Sequence, residues 1–269
     1  MNILSILQYP AYNGPANTCV TIDKILEKQG IYATSLIPSG IHTLITSHKR
    51  HNCNYREADL SRLRITKNFR TQSEVLKNFY GTVNRIRVAI RELNIDVVLV
   101  CGMENPHGAI AARLEGKKVV GQVLGLGIPS YVRRLVAIWT RYTCEVGMMP
   151  GKSLHQYFPG FIPKSKCVFF FPPVDSDTYN FTEKSIDFAE YHGIDIGNPV
   201  IGTVGNINPA KGLETFITAA GLIKKHLPKA QFLVKGNVLA NQEGYFNRLL
   251  DMAKGLGIQS GKDIFFIRD

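Results

Sequence analysis

The stretch Val200-Ile-Gly-Thr-Val-Gly-Asn-Ile-Asn-Pro-Ala-Lys-Gly212 reads as a short strand, then a glycine turn, then the start of the helical pattern Glu214–His226. The same unit recurs through the chain. Apolar runs that read as strands lie at Ile3–Leu7, Tyr32–Ile37, Asp96–Cys101, Lys118–Leu124, Glu145–Met149, Cys167–Phe171, Val200–Val204, Gln231–Val234 and Asp263–Ile267. Helical patterns separate them at Asn17–Lys28, Gln72–Leu93, Pro106–Leu114, Pro129–Thr140, Glu214–His226 and Glu243–Gly255. Continuous Val/Ile/Leu/Phe runs alternating with helices predict a parallel sheet covered on both faces. The fold class is α/β, in two doubly wound, Rossmann-like pieces.

Consecutive prolines in Phe171-Pro-Pro-Val-Asp175 end the first piece, because they stop a sheet and force extended backbone. A linker is expected at Pro172–Thr182, with an amino-terminal domain over 1–175 and a second over 176–269. From Val200 the second piece runs strand, helix, strand, helix, strand, which is one mononucleotide-binding half of a doubly wound domain. That half builds the sheet to one side only and leaves Val200–Val204 as a bare apolar edge, an arrangement proteins usually avoid. The second domain is thus expected to be only half complete.

With 269 residues, 45% hydrophobic and 20% charged, the composition is that of a globular protein and excludes disordered, collagen-like and disulfide-scaffold classes. No apolar stretch reaches about 18 residues, so no transmembrane helix is expected. The start, Asn2-Ile-Leu-Ser-Ile-Leu7, lacks the basic opening and long apolar core of a secretory signal. Five widely spaced cysteines without a Cys-x-x-Cys pair give neither a disulfide framework nor a zinc site, and a cytoplasmic location is expected.

Two loops are candidates for chemistry. In Val204-Gly-Asn-Ile-Asn-Pro-Ala-Lys-Gly212, Gly205 allows a tight turn and Lys211 adds a mobile positive charge. The helix beginning near Leu213 directs free N–H groups and its positive dipole end toward the crevice. Gly205, Asn206, Lys211 and Gly212 together suit a diphosphate. The matching loop of the first piece, Gln8 to Asn17, carries Gly14 and Pro15 for close backbone approach, with Tyr9 and Tyr12 offering flat faces to a ring or sugar. Neither loop is a Gly-x-Gly-x-x-Gly or Gly-x-x-x-x-Gly-Lys-Ser/Thr fingerprint, which disfavours a dinucleotide.

These motifs, in their order, resemble family 4 glycosyltransferases. The Gly14 loop with Cys19–Lys28 and Gln29-Gly30-Ile31 is similar to that family's amino-terminal start. Phe170-Phe-Pro-Pro-Val-Asp175 with Tyr179 is similar to its interdomain segment. Val204–Gly212, Phe216, Ala219-Ala220, Pro228, Phe232–Gly236 and Phe265–Asp269 are similar to its nucleotide-sugar domain. The resemblance implies a GT-B architecture and retaining transfer of a sugar from a UDP- or GDP-linked donor to a glycan or lipid-linked acceptor. No metal and no further cofactor are implied, and the Gly14–Pro15 loop would lie near the reacting centre.

Three departures accompany the resemblance. Of the family's basic pair, five positions apart, Lys211 matches the second member, but Asn206 stands at the first and brings no charge. The histidine often found after the strand at Lys118–Leu124 is absent from Leu124-Gly-Leu-Gly127. His107, in Glu104-Asn-Pro-His107, is the nearest catalytic substitute, or else a surface histidine. The family's two glutamates, eight positions apart, would fall beyond Asp269, so the chain is expected to be carboxyl-truncated and to turn over poorly. A non-catalytic scaffold or regulatory subunit is the rival reading, and a related GT-B sugar epimerase a third.

The formal charge is +11, and between Lys49 and Glu92 eleven Lys/Arg, the last of them Arg91, face four Asp/Glu. A solvated basic face or peripheral contact with an anionic membrane at its inner surface would account for it. Nucleic acid is not expected, because no recognition module accompanies the charge.

Overall fold

The computed structural model describes residues 1–9, 11–63, 69–123, 129–158, 160, 163–174, 186–238 and 242–268, excluding the side chains of 69–76 and 186. The chain divides into two compact units, Met1–Tyr179 and Asn180–Asp269. The expected linker beyond residue 174, with Tyr179, and the loop 124–127 lie outside the described residues.

In the first unit, β1 (Asn2–Leu7), α1 (Gly14–Lys28), β2 (Tyr32–Pro38), α2 (His42–Arg50), β3 (Tyr55–Ala58), α3 (Phe69–Glu92) and β4 (Val97–Cys101) follow in order. Then come α4 (His107–Leu114), β5 (Lys118–Gln122), α5 (Ser130–Thr143), β6 (Val146–Pro150) and β7 (Cys167–Phe170). The strands form one sheet in the order β3-β2-β1-β4-β5-β6-β7, with every pairing parallel. Strand side chains alternate between faces, so the apolar runs fill two cores. Leu4, Ile6, Leu36, Val98 and Val100 pack with α3, α4 and α5. Ile3, Leu7, Ile37, Leu99 and Cys101 pack with α1 and α2.

The second unit contains α6 (Ile186–Tyr191), β8 (Val200–Val204), α7 (Leu213–His226), β9 (Gln231–Lys235), α8 (Glu243–Gly255) and β10 (Ile264–Ile267). Its sheet is parallel in the order β10-β9-β8, which leaves β8 at an edge with Val200 and Val204 exposed. Phe232, Val234 and Ile264 pack with α7 and α8 on one face, and Phe265 and Ile267 with Ala189 of α6 on the other.

The sequence reading missed α2, β3 and the short α6. The β3 segment Tyr-Arg-Glu-Ala is a short, charged edge strand, the form that discourages edge pairing with other chains. Helix α2 starts at Ile41 without a side-chain cap and carries β-branched residues early. Of the basic stretch, Arg56 pairs with Glu92, Arg85 with Asp59, and Arg87 and Arg91 both with Glu115. Arg64 and Lys67, and the side chain of Arg70, lie outside the described residues.

Candidate functional site

At the carboxyl end of β8 the backbone turns at Gly205, whose N–H donates to Lys235 O (2.9 Å), and Ile207 N–H donates to Asn237 O (2.9 Å). These bonds lay the turn along the end of β9. Asn208 then caps a 3-10 turn at Pro209–Lys211, its side chain accepting from Ala210 N–H. Gly212 adopts the left-handed conformation (φ +63°) and enters α7. This geometry folds Lys211 back, so that a methyl group on Gly205 would sit 3.3 Å from Lys211 Cε. Lys211, Asn206 and Gly212 are exposed, and the four residues read from sequence as a diphosphate site share one turn.

The amino end of α7 is partly occupied. Tyr245 Oη donates to Glu214 Oε2 (2.6 Å), and the carboxylate also accepts its own backbone N–H. Both bonds favour the anion and hold Glu214 below the usual carboxylate range.

In the first unit, Gly14 and Pro15 form the opening turn of α1, capped by Asn13, whose side chain accepts from Ala16 N–H. Gly14 is exposed, with nothing within 4 Å of where a Cβ would lie. The tyrosines depart from expectation. Tyr9 is buried in the core, and Tyr12 donates its hydroxyl to Asn17 Oδ1 (2.5 Å), so neither ring is an open platform.

His107 opens α4 and is fully buried, which corrects its reading as a surface histidine. Its Nδ1 lies 3.2 Å from Gln8 Nε2, and its ring packs on Phe79 with centroids 4.4 Å apart. Burial lowers its pKa to about 4, so the ring is neutral. The Gln8 amide has only N–H groups to offer at Nε2. Nδ1 therefore accepts, and the N–H stands at Nε2, which has no partner among the described residues. As a candidate catalytic group His107 stands behind Gln8 rather than on an open surface.

A cluster that the sequence reading passed over lies beside it, at the carboxyl end of β4. Glu104 Oε1 and Tyr9 Oη converge over Gly102 (φ +100°), each 2.8 Å from where a Cβ would lie. Burial raises the Glu104 pKa, while Arg62 opposes the shift. The segment carrying Arg62 is tied down at both sides, by Gln8 Nε2 donating to Ser61 O and Leu63 N–H donating to Asn105 Oδ1. Arg62 Nε and Gln122 Nε2 are buried without partners among the described residues. The position after β4 was the available signal, since ligands of parallel sheets bind beyond the carboxyl ends of strands. Among the described residues no three His, Cys, Asp or Glu side chains gather as a metal site, and no helix is long and apolar enough to cross a membrane.

No protein-family model and no curated protein sequence matches the chain. Solved structures do. Anabaena HepE in complex with UDP and glucose superposes with a TM-score of 0.79 at 15% identity, covering all of this chain and 70% of that one. A glycosyltransferase from Rickettsia africae gives 0.73 at 17%, covering all of this chain and 68% of that one. UDP-GlcNAc 2-epimerase from Neisseria meningitidis, bound to UDP-GlcNAc, gives 0.64 at 14%, covering all of this chain and 72% of that one. At these identities the likeness establishes architecture: the chain has an α/β fold of the GT-B glycosyltransferase type.

Proposed function

We propose that the chain binds a nucleotide-sugar through the Gly205–Gly212 turn and takes part in transferring its sugar to a hydroxyl-bearing acceptor. The observation that carries this reading is the folding of Lys211 across Gly205 at the amino end of α7. An ammonium group and a helix dipole there meet a diphosphate from the side on which negative charge grows as the sugar departs. The neighbours found with UDP, UDP and glucose, or UDP-GlcNAc support a uridine nucleotide as the first donor to test. The family 4 resemblance supports retention and a glycan or lipid-linked acceptor. Asn206 can donate a hydrogen bond to a phosphate oxygen but leaves Lys211 as the one basic side chain of the turn.

On the first unit, the Glu104, Tyr9 and Arg62 cluster is suited to orienting an acceptor hydroxyl. A half-buried carboxylate with a raised pKa accepts a proton more readily than a solvated one. Titration calorimetry with UDP, GDP and UDP-glucose tests the donor assignment. One nucleotide should bind, and Lys211→Ala should weaken it about 10-fold or more, the value of a charge-assisted hydrogen bond. Equal affinity in wild type and variant would remove Lys211 from the site. The likeness to a UDP-GlcNAc 2-epimerase favours a second reading, sugar epimerisation. Incubation with UDP-GlcNAc alone separates the two, because an epimerase converts it without an acceptor.

A further inference from the structure

Helix α5 carries two apolar faces, of which only one is used by the fold. Val136, Ala137 and Thr140 are buried, Val132 and Trp139 pack on the same core, and Trp139 Nε1 donates to Met103 O (2.7 Å). On the opposite pole Tyr131, Leu135, Ile138 and Tyr142 are 64, 53, 42 and 75% exposed. Their spacing of four, three and four residues sets them in one file along the helix. Single exposed apolar side chains are ordinary, but a file of four along the solvent pole of a helix is not. Helix α3, which packs on the same core, presents Lys77, Asn78, Asn84, Arg85 and Arg91 outward instead, interrupted by Tyr80 and Val88.

Charge identifies what covers this file. Arg134 and Arg141 flank it on one shoulder, and Ser130–Thr143 contains no acidic residue. Among the described residues neither arginine meets a carboxylate, whereas Arg56, Arg85, Arg87 and Arg91 of the basic stretch each do. We infer that the outward face of α5 docks the protein on an anionic lipid surface. Leu135 and Ile138 enter the acyl boundary, Tyr131 and Tyr142 lie at headgroup level at the two ends, and Arg134 and Arg141 reach phosphates. A file of four side chains is far narrower than the roughly 800 Å² per partner that a stable dimer buries, so a second copy fits it poorly. A bilayer needs no complementary shape, and the chain's +11 charge draws it there. The inference is independent of the donor assignment.

Co-sedimentation of the 269-residue chain with vesicles of phosphatidylcholine and phosphatidylglycerol, three parts to one, tests it. Binding should appear there and be weak on phosphatidylcholine alone. Leu135→Glu with Ile138→Glu should lower vesicle affinity more than 10-fold, and Arg134→Ala with Arg141→Ala about 30-fold. Both pairs lie on the solvent pole, so circular dichroism should match wild type. If the glutamate pair misfolds, the arginine pair alone decides. Wild-type vesicle affinity in the folded variants overturns the inference. So does a dimer in light scattering that the glutamate pair converts to monomer.

Discussion

Replacing Gly236 by alanine perturbs the turn at Gly205 without altering any of its side chains. Gly236 follows β9, and a methyl group there would lie 2.1 Å from Gly205 O, 2.6 Å from Gly205 C and 3.1 Å from Asn206 N. All three are backbone atoms, so no side chain can swing aside, and the two segments must part by about 1 Å for ordinary contact. The bonds Gly205 N–H to Lys235 O and Ile207 N–H to Asn237 O oppose that movement. Overpacking costs about 1–3 kcal/mol and a lost hydrogen bond about 1, so about 2–4 kcal/mol of stability should go. Gly202→Ala is the matched control. Its methyl would meet Leu233 at 3.6 Å, an ordinary contact, and alanine there should be neutral or stabilise by up to about 1 kcal/mol. Urea unfolding of both variants, with UDP calorimetry where each is folded, measures the two effects. A Gly236→Ala midpoint equal to that of Gly202→Ala would refute the packing argument. Lost stability with unchanged UDP affinity would remove the turn from the donor site.

Burial outweighs the hydroxyl bonds from Ser5 and Ser35 and raises Asp23 to about 6, so its contribution to stability, full below pH ~4, falls by about 3 kcal/mol as pH climbs through 6. His107, lowered by burial to about 4, has the opposite sign: its contribution is full above pH ~6.5 and falls by about 3 kcal/mol as pH drops toward 4. Over that window Asp23→Asn should leave stability rising with pH and His107→Gln should leave it falling. Denaturant titrations at stepped pH check both, and parallel profiles would contradict the two assignments. Gly121→Ala should destabilise the first unit by about 1–3 kcal/mol, because its methyl would lie 2.6 Å from Cys144 Sγ and 3.0 Å from Met103 Sδ inside the core. A wild-type melting temperature would show that the sulfur side chains yield without cost.

The central parallel strands were legible because burial on both faces leaves no choice but apolar residues. The readings Ile3–Leu7 and Asp96–Cys101 fall within one residue of β1 and β4, which are central in the sheet and buried along nearly their whole length. Helix α2 and strand β3 were illegible for the converse reason, since an edge strand is selected for charge and a short uncapped helix takes its stability from packing. The bare edge of β8 was readable from element order alone, because a mononucleotide half builds to one side of its first strand.

The candidate site divides along the same line. A glycine turn with a lysine before a helix is a local pattern, so spacing alone was enough to group Gly205, Lys211 and Gly212, which share one turn. The Glu104, Tyr9 and Arg62 cluster joins three segments far apart in the chain, and its only local trace is Gly102 in a left-handed conformation that leaves room for two polar tips. His107 was singled out by residue type, but type gives no burial. Its place under Gln8 depends on β1 and β4 being neighbours, which is a property of sheet order rather than of the residues around it. The same order carries Tyr9 and Glu104 to adjacent strand ends. A site assembled by topology therefore becomes visible only once the strands are ordered, whereas a candidate site carried by one turn can be read from local sequence.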